Sequence, residues 1–531
     1  MIPPSPLIMQ SMQRASALLQ AGNFVLARTT LEQLLRDAPR FVEAHRLLAG
    51  ALQALGDSAG AERVLREALA IDPHWAPTLT SLGEILLQQN RQDEAAPLLR
   101  AAAASARPYP RAQQLYARLL HARAQGEIAA GDTATAETTL REALALDPLF
   151  ADAHAHFAQL VWMRSGDIDL AVQDLERVSA RHPGAEVLEL VRADMLDGAG
   201  ESSRARALLA PRAERADAGL DVLLGASRIS LRADASRALA YAQRAVAMQP
   251  AHEGAQRAWI DALLASGDAQ AALPRIEALV RTRPDDQQLI ATLTTAWRLL
   301  GDPRYGAYCD YAGMARASMI DTPRGWATLS DYLRDLAASL RQLHSLHSHP
   351  LHNSLRGGSQ TARDLTQSED PVIRAFFEAI DGPIRRHIEA IGSEAFGEHP
   401  LRRRAREDYR LHGAWSVRLR GQGYHTNHVH PQGWLSSACY IELPRAVVES
   451  AATDSRVLTS AIMDDRINTA HAGWLKFGEP GIPTRPTLAP EYFIRPEPGL
   501  LALFPSYFWH GTVPFDGDDT RLTIAFDVVP A

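Results

Sequence analysis

The sequence has little that suits a secreted, membrane or nucleic-acid-binding protein. Only two of its 531 residues are cysteines, Cys309 and Cys439, which is too few for a disulfide framework and indicates a reducing cytoplasm. No apolar run is long enough to span a membrane, and the N-terminal segment lacks the basic start and apolar core of a leader. The net charge of −7 argues against general attraction to nucleic acid.

The length of 531 residues exceeds what one hydrophobic core supports, so two or more domains are expected. The 46% hydrophobic and 22% charged residues are typical of a soluble globular protein. The sequence makes no prediction about the oligomeric state.

Three residue types recur in phase through the first 300 residues. Prolines stand at Pro39, Pro73, Pro108, Pro148, Pro183, Pro250 and Pro284, at steps of 34, 35, 40, 35, 67 and 34 residues. Alanines precede them at Ala27, Ala61, Ala96, Ala136, Ala171, Ala238 and Ala272. Glycines stand at Gly22, Gly56, Gly131, Gly166, Gly200, Gly267 and Gly301. A small residue lets two helices cross closely, glycine accepts the positive φ of the turn, and proline ends the second helix.

This pattern resembles the tetratricopeptide repeat, a helix–turn–helix unit of about 34 residues. The resemblance covers residues 8–303, about eight units, and a generic helical bundle would not keep the spacing. It implies a solenoid whose units bury their apolar faces by stacking, with a concave surface that holds a peptide or protein partner.

The period stops after Gly301. Apolar spacing predicts one helix over 327–345, and 370–392 is interpreted as a helix, a Gly-Pro break and a second helix. Between them the segment "HPLHNSLRGGSQT" (349–361) is either a surface loop or part of a site, in which case Arg356 and Gln360 are candidates.

From Ala414 the apolar period changes to two, which predicts strands. They are expected in "AWSVRLRG", "WLSSACYIEL", "GLLALFP" and "RLTIAFDVV". About 120 residues of short strands suit a sandwich or jelly roll. Residues 446–474 are less regular and are interpreted as an insertion or lid.

Histidines cluster in the segment "HTNHVHPQG" at 425–433. His428 and His430 are two residues apart, so on a strand both point to one face. His510 could approach from a neighbouring strand and complete a three-nitrogen metal face with open positions. Eleven residues after His510, Arg521 could hold a carboxylate in bidentate fashion, and Thr523 on the same face could add a hydroxyl donor.

This layout resembles the 2-oxoglutarate- and Fe(II)-dependent oxygenases, and more narrowly a prolyl-hydroxylase-like bacterial group often fused to tetratricopeptide repeats. The matching motifs are 349–361, "GAWSVRLRGQGYHTNHVHPQGWLSSACYIELP" (413–444), "GWLKFGEP" (473–480) and 496–530. The resemblance spans 320–531. It implies a double-stranded β-helix, the cofactors Fe(II), 2-oxoglutarate and O2, and the products succinate and carbon dioxide. It also implies His428 and His510 as iron ligands and Arg521 as the residue that binds 2-oxoglutarate.

His430 stands where the wider superfamily has Asp or Glu, whereas the narrower group shows a second histidine. Three outcomes are open: His430 is a third ligand, it lies outside the first shell with water in that position, or the domain has lost activity. Loss of the carboxylate would weaken the hold on Fe(II).

Further residues are candidates for the site, but each could instead have a purely structural role. Tyr440 could reach the co-substrate, and Ser436 either faces the site or lets the sheet pack. His425 is interpreted as a rim residue and Asn427 as a turn residue. Both, together with Trp509, are also candidates to contact the substrate or the metal ligands. Trp415, Tyr424 and Trp434 are expected to pack, and Cys439 to be an inert buried thiol.

The predicted fold class is therefore multidomain α + β. A repeat solenoid (1–303) precedes a linker and helical support (304–409) and a double-stranded β-helix core (410–531). The leading hypothesis is a dioxygenase that hydroxylates a protein or peptide side chain presented by the repeats. The alternatives are a small-molecule oxygenase whose repeats serve assembly only and a catalytically idle scaffold.

Overall fold

The computed structural model describes residues 6–107, 109–351, 353–392, 399–406, 408–449 and 471–531. Pro108 and most of the segment interpreted as an insertion or lid, residues 450–470, lie outside the described residues. Within the described ranges, no helix combines the length and the apolar character needed to cross a bilayer.

Helices fill the first 300 residues. They are α1 (Pro6–Gln20), α2 (Phe24–Asp37), α3 (Val42–Ala54), α4 (Ser58–Ile71), α5 (Ala76–Gln88), α6 (Gln92–Ala103), α7 (Pro110–Ala129), α8 (Thr133–Leu146), α9 (Ala151–Ser165), α10 (Ile168–Arg181), α11 (Glu186–Gly198), α12 (Ser202–Ala213), α13 (Leu220–Ser230), α14 (Ala235–Met248), α15 (Glu253–Ser266), α16 (Ala269–Thr282) and α17 (Gln287–Leu300). They form successive helical hairpins that end with the single helix α17, which confirms the predicted solenoid.

The alanines, glycines and prolines of the repeats have the predicted structural roles, with one exception. Six of the seven alanines are buried, but in the third unit Ala95 is buried and Ala96 is not. All seven turn glycines have positive φ, for example +89° at Gly267, a conformation that other residues rarely adopt. The helices before the described prolines end two residues earlier, as at Asp37 before Pro39.

The chain divides into two compact units. One comprises residues up to Ile128 and Asp132–Phe157, and the other comprises Ala129–Gly131 and Ala158–Ala531. The second unit holds both the later repeats and the C-terminal domain. The boundary predicted at residue 303 therefore falls inside this unit, and it stays a prediction.

Five further helices follow the repeats: α18 (Arg304–Tyr308), α19 (Tyr311–Met314), α20 (Leu329–Leu343), α21 (Pro371–Ile391) and α22 (Arg445–Glu449). The predicted break in 370–392 is wrong, because α21 continues through Pro383. Pro383 lacks an N–H for the carbonyl of Ala379, and the backbone N–H of Asp321 donates to that carbonyl at 2.9 Å instead. A contact from outside the helix thus satisfies the group that the proline leaves free.

The strands are β1 (Arg316–Met319), β2 (Leu355–Gln360), β3 (Tyr409–His425), β4 (Leu435–Glu442), β5 (Leu475–Phe477), β6 (Tyr492–Ile494), β7 (Leu500–Pro505), β8 (His510–Thr512) and β9 (Arg521–Pro530). They form a six-stranded sheet in the order β1-β7-β4-β9-β3-β2 and a three-stranded sheet in the order β6-β5-β8. All pairs are antiparallel. The structure thus confirms an antiparallel sheet domain after the solenoid. Residues 355–360 are an edge strand, so the loop interpretation of that stretch is wrong.

Alternation along β9 separates the core from the site. Leu522, Ile524, Phe526 and Val528 are buried in a core shared with α20 and α21, and Phe526 packs edge-on against Phe376 of α21. The intervening residues of β9 face the opposite side, where they line a cavity.

Candidate metal centre and anion pocket

The cavity of about 610 Å³ lies between the two sheets. Its wall includes His428, His430 and His510, which come from two separate stretches of chain. The backbones of His428 and His510 form an antiparallel bridge, with N–H···O distances of 2.9 and 3.1 Å. The bridge joins the segment that follows β3 to strand β8.

The three imidazoles present one nitrogen each to a common point. Their ligand atoms all lie within 4.8 Å of one another. The Nδ1–H of His428 donates to the carbonyl of Thr426 at 2.8 Å, and that of His510 donates to the carbonyl of Phe508 at 2.9 Å. The Nδ1 of His430 is 2.7 Å from Asp527 Oδ1. Each ring is therefore fixed in the tautomer that leaves Nε2 available to a metal.

The electrostatics favour neutral ligands at two of the three positions. Burial, followed by the charge of His430, lowers the pKa of His428 to about 3. Burial likewise lowers the pKa of His510 well below its ordinary value. At His430 burial lowers the pKa, but the charge of Asp527 and its hydrogen bond outweigh it, so the pKa is raised. The low pKa values keep His428 and His510 unprotonated and ready to bind a metal, whereas His430 differs from them through its contact with Asp527.

The sequence analysis missed Asp527. Its carboxylate accepts a hydrogen bond from Ser436 Oγ at 2.8 Å as well as the contact from His430. The missed signal was the period of two that places residues 521, 523, 525 and 527 on one face of β9. A carboxylate from β9 thus contacts His430, at the position where the resemblance led us to expect an acidic residue.

Arg521 lies at the other end of the same face of β9 and is almost fully buried, with 2% of its surface exposed. Its Nη1 donates to the carbonyl of Gly473 at 2.9 Å, and its Nε has no hydrogen-bond partner. Within the described ranges no carboxylate pairs with it. Burial lowers the pKa of Arg521, although a guanidinium keeps its charge in proteins. A buried cation without a counter-ion is expensive, so this end of the cavity is suited to an anion.

Tyr440 and Thr523 lie beside Arg521. The guanidinium carbon of Arg521 is 4.9 Å from the centre of the Tyr440 ring, and the buried hydroxyl of Tyr440 has no hydrogen-bond partner among the described residues. Thr523 pairs with Tyr440 across the sheet and lines the cavity. These groups can donate two further hydrogen bonds to an anion held by Arg521.

The remaining candidates occupy varied positions. The ring of His425 stacks on His428 with centroids 5.9 Å apart, and its Nδ1 lies 2.9 Å from Ser354 Oγ. Gln360 lines the cavity and accepts a hydrogen bond from Asn353.

Three other predicted residues make structural contacts. Arg356 in β2 donates to the carbonyls of Asn353 and Leu355. Asn427 packs against Gly511, and Trp509 donates its indole N–H to Thr295 of the repeats. Trp434 is in the core, whereas Trp415 lines the cavity and does not simply pack.

A further part of the cavity wall carries polar side chains outside the histidine cluster. His412 Nε2 is 3.2 Å from Gln432 Oε1, and Trp415, Asn353 and Gln360 complete this wall. Sequence reasoning did not single out His412, Gln432 or Asn353, because isolated polar residues carry no distinguishing pattern.

Comparison with known families agrees with this geometry. Residues 413–527 match the family model described as "Putative 2OG-Fe(II) oxygenase". Two tetratricopeptide-repeat models match residues 12–74 with 121–186, and residues 52–119.

One curated relative is similar to part of the chain: "Cellulose synthase operon protein C" of Xanthomonas axonopodis pv. citri (strain 306). It is 29% identical over 288 residues, which are 54% of this chain and 18% of the relative. The match therefore spans about a fifth of that relative's length.

Solved repeat structures resemble the chain only loosely. A tetratricopeptide repeat protein from Parabacteroides merdae has 15% identity and a TM-score of 0.32, over 48% of this chain and 97% of its own. Yeast Tom70 has 16% identity and a TM-score of 0.35, over 54% and 61%. At such scores the likeness says nothing about function. From the family matches, the chain combines tetratricopeptide repeats with a C-terminal domain that matches the 2OG-Fe(II) oxygenase family.

Proposed function

We propose that this chain is a 2-oxoglutarate- and Fe(II)-dependent dioxygenase that hydroxylates a protein or peptide side chain. The observation that carries the proposal is the combination within one cavity of three convergent imidazoles and a buried arginine that has no carboxylate partner among the described residues. A metal alone would explain the histidines and an anion alone would explain the arginine, but this co-substrate chemistry requires both.

The donor set fits a first-row metal. Imidazole nitrogens suit Fe, Zn, Cu and Ni, and the choice of Fe(II) rests on the family match. His428 and His510 would bind through Nε2, since their Nδ1 atoms are committed to backbone carbonyls. The Nε2 atoms of His428 and His430 are 3.2 Å apart, a separation at which two ligands can share one metal.

Arg521 would hold the far carboxylate of 2-oxoglutarate, with the hydroxyls of Thr523 and Tyr440 as further donors. The alternation of β9 places Arg521 and Asp527 six residues apart on one face, about 20 Å along the strand. Arg521 and the three histidines line the same cavity, so a co-substrate held by Arg521 would share that cavity with the metal. With iron, oxygen and 2-oxoglutarate bound, the chemistry supplied is oxidation of a C–H bond to C–OH as 2-oxoglutarate becomes succinate and carbon dioxide.

A protein or peptide substrate is supported by the link between the repeats and the cavity. Trp162 and Met163 of α9 bond to the loop 347–349, which leads to Ser354 beside His428. The polar side chains around His412 and Gln432 would accept the group to be oxidised. We place the enzyme in the cytoplasm, because Cys309 and Cys439 are both unpaired.

The test is succinate release by the full chain with Fe(II), 2-oxoglutarate and a peptide pool. Succinate release that requires both Fe(II) and 2-oxoglutarate, and that is abolished by His428→Ala, would support the proposal. The matched control is Arg385→Ala, which removes an exposed arginine paired with Asp381 and should leave release unchanged. Absence of 2-oxoglutarate binding together with absence of turnover on any pool would overturn it.

A further inference from the structure

Asp527 is a partly buried carboxylate whose two oxygens both face one imidazole. Its Oδ1 and Oδ2 lie 2.7 and 2.8 Å from His430 Nδ1, and its side chain is 13% exposed. The other two histidines of the cluster use backbone carbonyls for the same purpose. Only His430 therefore has a charged group behind it that a mutation can remove.

A chain of hydroxyls holds the carboxylate in place. Ser436 Oγ donates to Asp527 Oδ1 at 2.8 Å and lies 2.9 Å from Ser506 Oγ. The carbonyl of Ser506 also accepts the backbone N–H of His430 at 3.0 Å. The arrangement thus ties the carboxylate and the imidazole to the same residue.

Gly433 makes room for this chain. A Cβ on Gly433 would lie 2.3 Å from Ser506 Oγ and 3.5 Å from the carboxyl carbon of Asp527. Any larger residue would push the serine away from Ser436. The turn after His430 is therefore shaped around the partly buried carboxylate.

The free nitrogen of His430 faces the cluster. Its Nε2 is 3.2 Å from His428 Nε2, and each of these atoms presents a lone pair when Nδ1 carries the hydrogen. Two lone pairs this close repel, and either a proton or a metal ion between them relieves the repulsion. A metal is the cation for which the remaining donor, His510, is also in place.

We propose that Asp527 is a positioning residue that makes His430 the third metal ligand. It fixes the ring with Nε2 towards the metal and supplies, from behind the imidazole, the negative charge that an aspartate ligand would supply directly. This inference rests on the proposed metal site. Of the outcomes that the sequence left open, His430 is then the third metal ligand, and water does not occupy that position.

The test is anaerobic titration of the full-length protein with Co(II), followed by the visible absorption of the bound ion. Removal of a carboxylate behind a ligating histidine weakens metal binding by about 10- to 100-fold, and we expect this for Asp527→Ala. Asp527→Asn keeps the shape and one acceptor oxygen, so a smaller loss is expected. Asp516→Asn, at an exposed aspartate bonded to Gln422, is the control and should bind as the wild type does.

The double variant separates positioning from general damage. If Asp527 acts through His430, the variant carrying both Asp527→Ala and His430→Ala binds Co(II) no more weakly than His430→Ala alone. Additive losses, or unchanged affinity in Asp527→Ala, would overturn the inference. Should Asp527→Ala fail to fold, Asp527→Asn and its double variant decide the question. If His428→Ala also binds Co(II) as tightly as the wild type, the proposed metal site itself fails.

Discussion

The indole Nε1 of Trp509 lies 2.9 Å from Oγ1 of Thr295, so the residue before His510 is hydrogen-bonded to the last repeat helix. The same N–H is 3.2 Å from the carbonyl of Ala291. Three residues further along α17, Arg298 donates to the carbonyls of Gly478 and Ala489. Helix α17 thus supports strands β5 and β8, and β8 carries one of the three histidines.

Loss of this hydrogen bond should loosen the metal site. We expect Trp509→Phe to lower the free energy of unfolding by about 0.5–1.5 kcal/mol, because one buried hydrogen bond is lost while Thr295 still donates to the Ala291 carbonyl. Metal affinity should fall with it, since His510 is the next residue. The control is Trp326→Phe, which removes the hydrogen bond from the indole N–H of Trp326 to Asp335. Trp326 is distant from His510 in the sequence. Equal metal affinity in wild type and Trp509→Phe would contradict this coupling.

A fragment that begins at residue 304 tests the same contact more severely. Without α17, the fragment exposes Trp509 and the core positions next to Ile290 and Ala291. We therefore expect residues 304–531 to show no cooperative thermal unfolding and no metal binding. A folded fragment that binds metal with the affinity of the full chain would show that the repeats serve assembly only.

Replacement of Arg521 should abolish 2-oxoglutarate binding and leave metal binding intact. Removal of one partner of a buried charge pair costs about 2–5 kcal/mol, which corresponds to roughly 30-fold or more in Kd. We expect such a loss for Arg521→Ala. Arg521→Lys should recover only part of it, because an ammonium cannot form the bidentate contact. Calorimetry on the Co(II)-loaded protein measures both constants, and unchanged 2-oxoglutarate affinity in Arg521→Ala would exclude this anion site.

His387 should make the protein less stable in mild acid. Its side chain is buried in α21, neither ring nitrogen has a hydrogen-bond partner, and burial lowers its pKa to about 4. The unfolded chain, with an ordinary pKa of about 6.5, binds more protons between these values, so stability falls as the pH drops through this window. At pH 5 the loss from this one group is about 2 kcal/mol.

The variant His387→Leu removes that penalty. We expect its Tm to fall less than the wild-type Tm between pH 7.5 and pH 5.0, with no loss at pH 7.5, since leucine suits the apolar surroundings. Replacement of the exposed His74 by glutamine is the control and should keep the wild-type pH dependence. Parallel Tm curves for wild type and His387→Leu would contradict the assignment.

The sequence predicted the repeats well, because each repeat contains its own signals. The turn glycines and the prolines act within a few residues, so their spacing alone locates the helices. The repeat pattern predicted burial of Ala96, but Ala95 is buried instead, because the burial of a given position depends on how the next helix packs. The continuous helix through Pro383 has the same origin, because Asp321 lies 62 residues earlier in the chain.

The candidate site was only partly visible in the sequence. His428, His430, His510 and Arg521 stood out because three histidines fall within six residues and a fourth histidine precedes the strand that begins with Arg521. The expectation that His428 and His430 share a strand was wrong, since β3 ends at His425 and β4 begins at Leu435. Asp527 and Ser354 did not stand out, since they meet His430 and His428 from 97 and 74 residues away. Such contacts depend on strand register, which no local pattern specifies.

The binding of 2-oxoglutarate by the full-length protein with and without Fe(II), under anaerobic conditions, tests the central proposal most directly. Three convergent imidazoles and the buried Arg521 predict one equivalent of 2-oxoglutarate whose binding requires the metal and is lost in His428→Ala. Equal binding with and without metal, or no binding in either case, would contradict the proposal that the two sites serve one reaction.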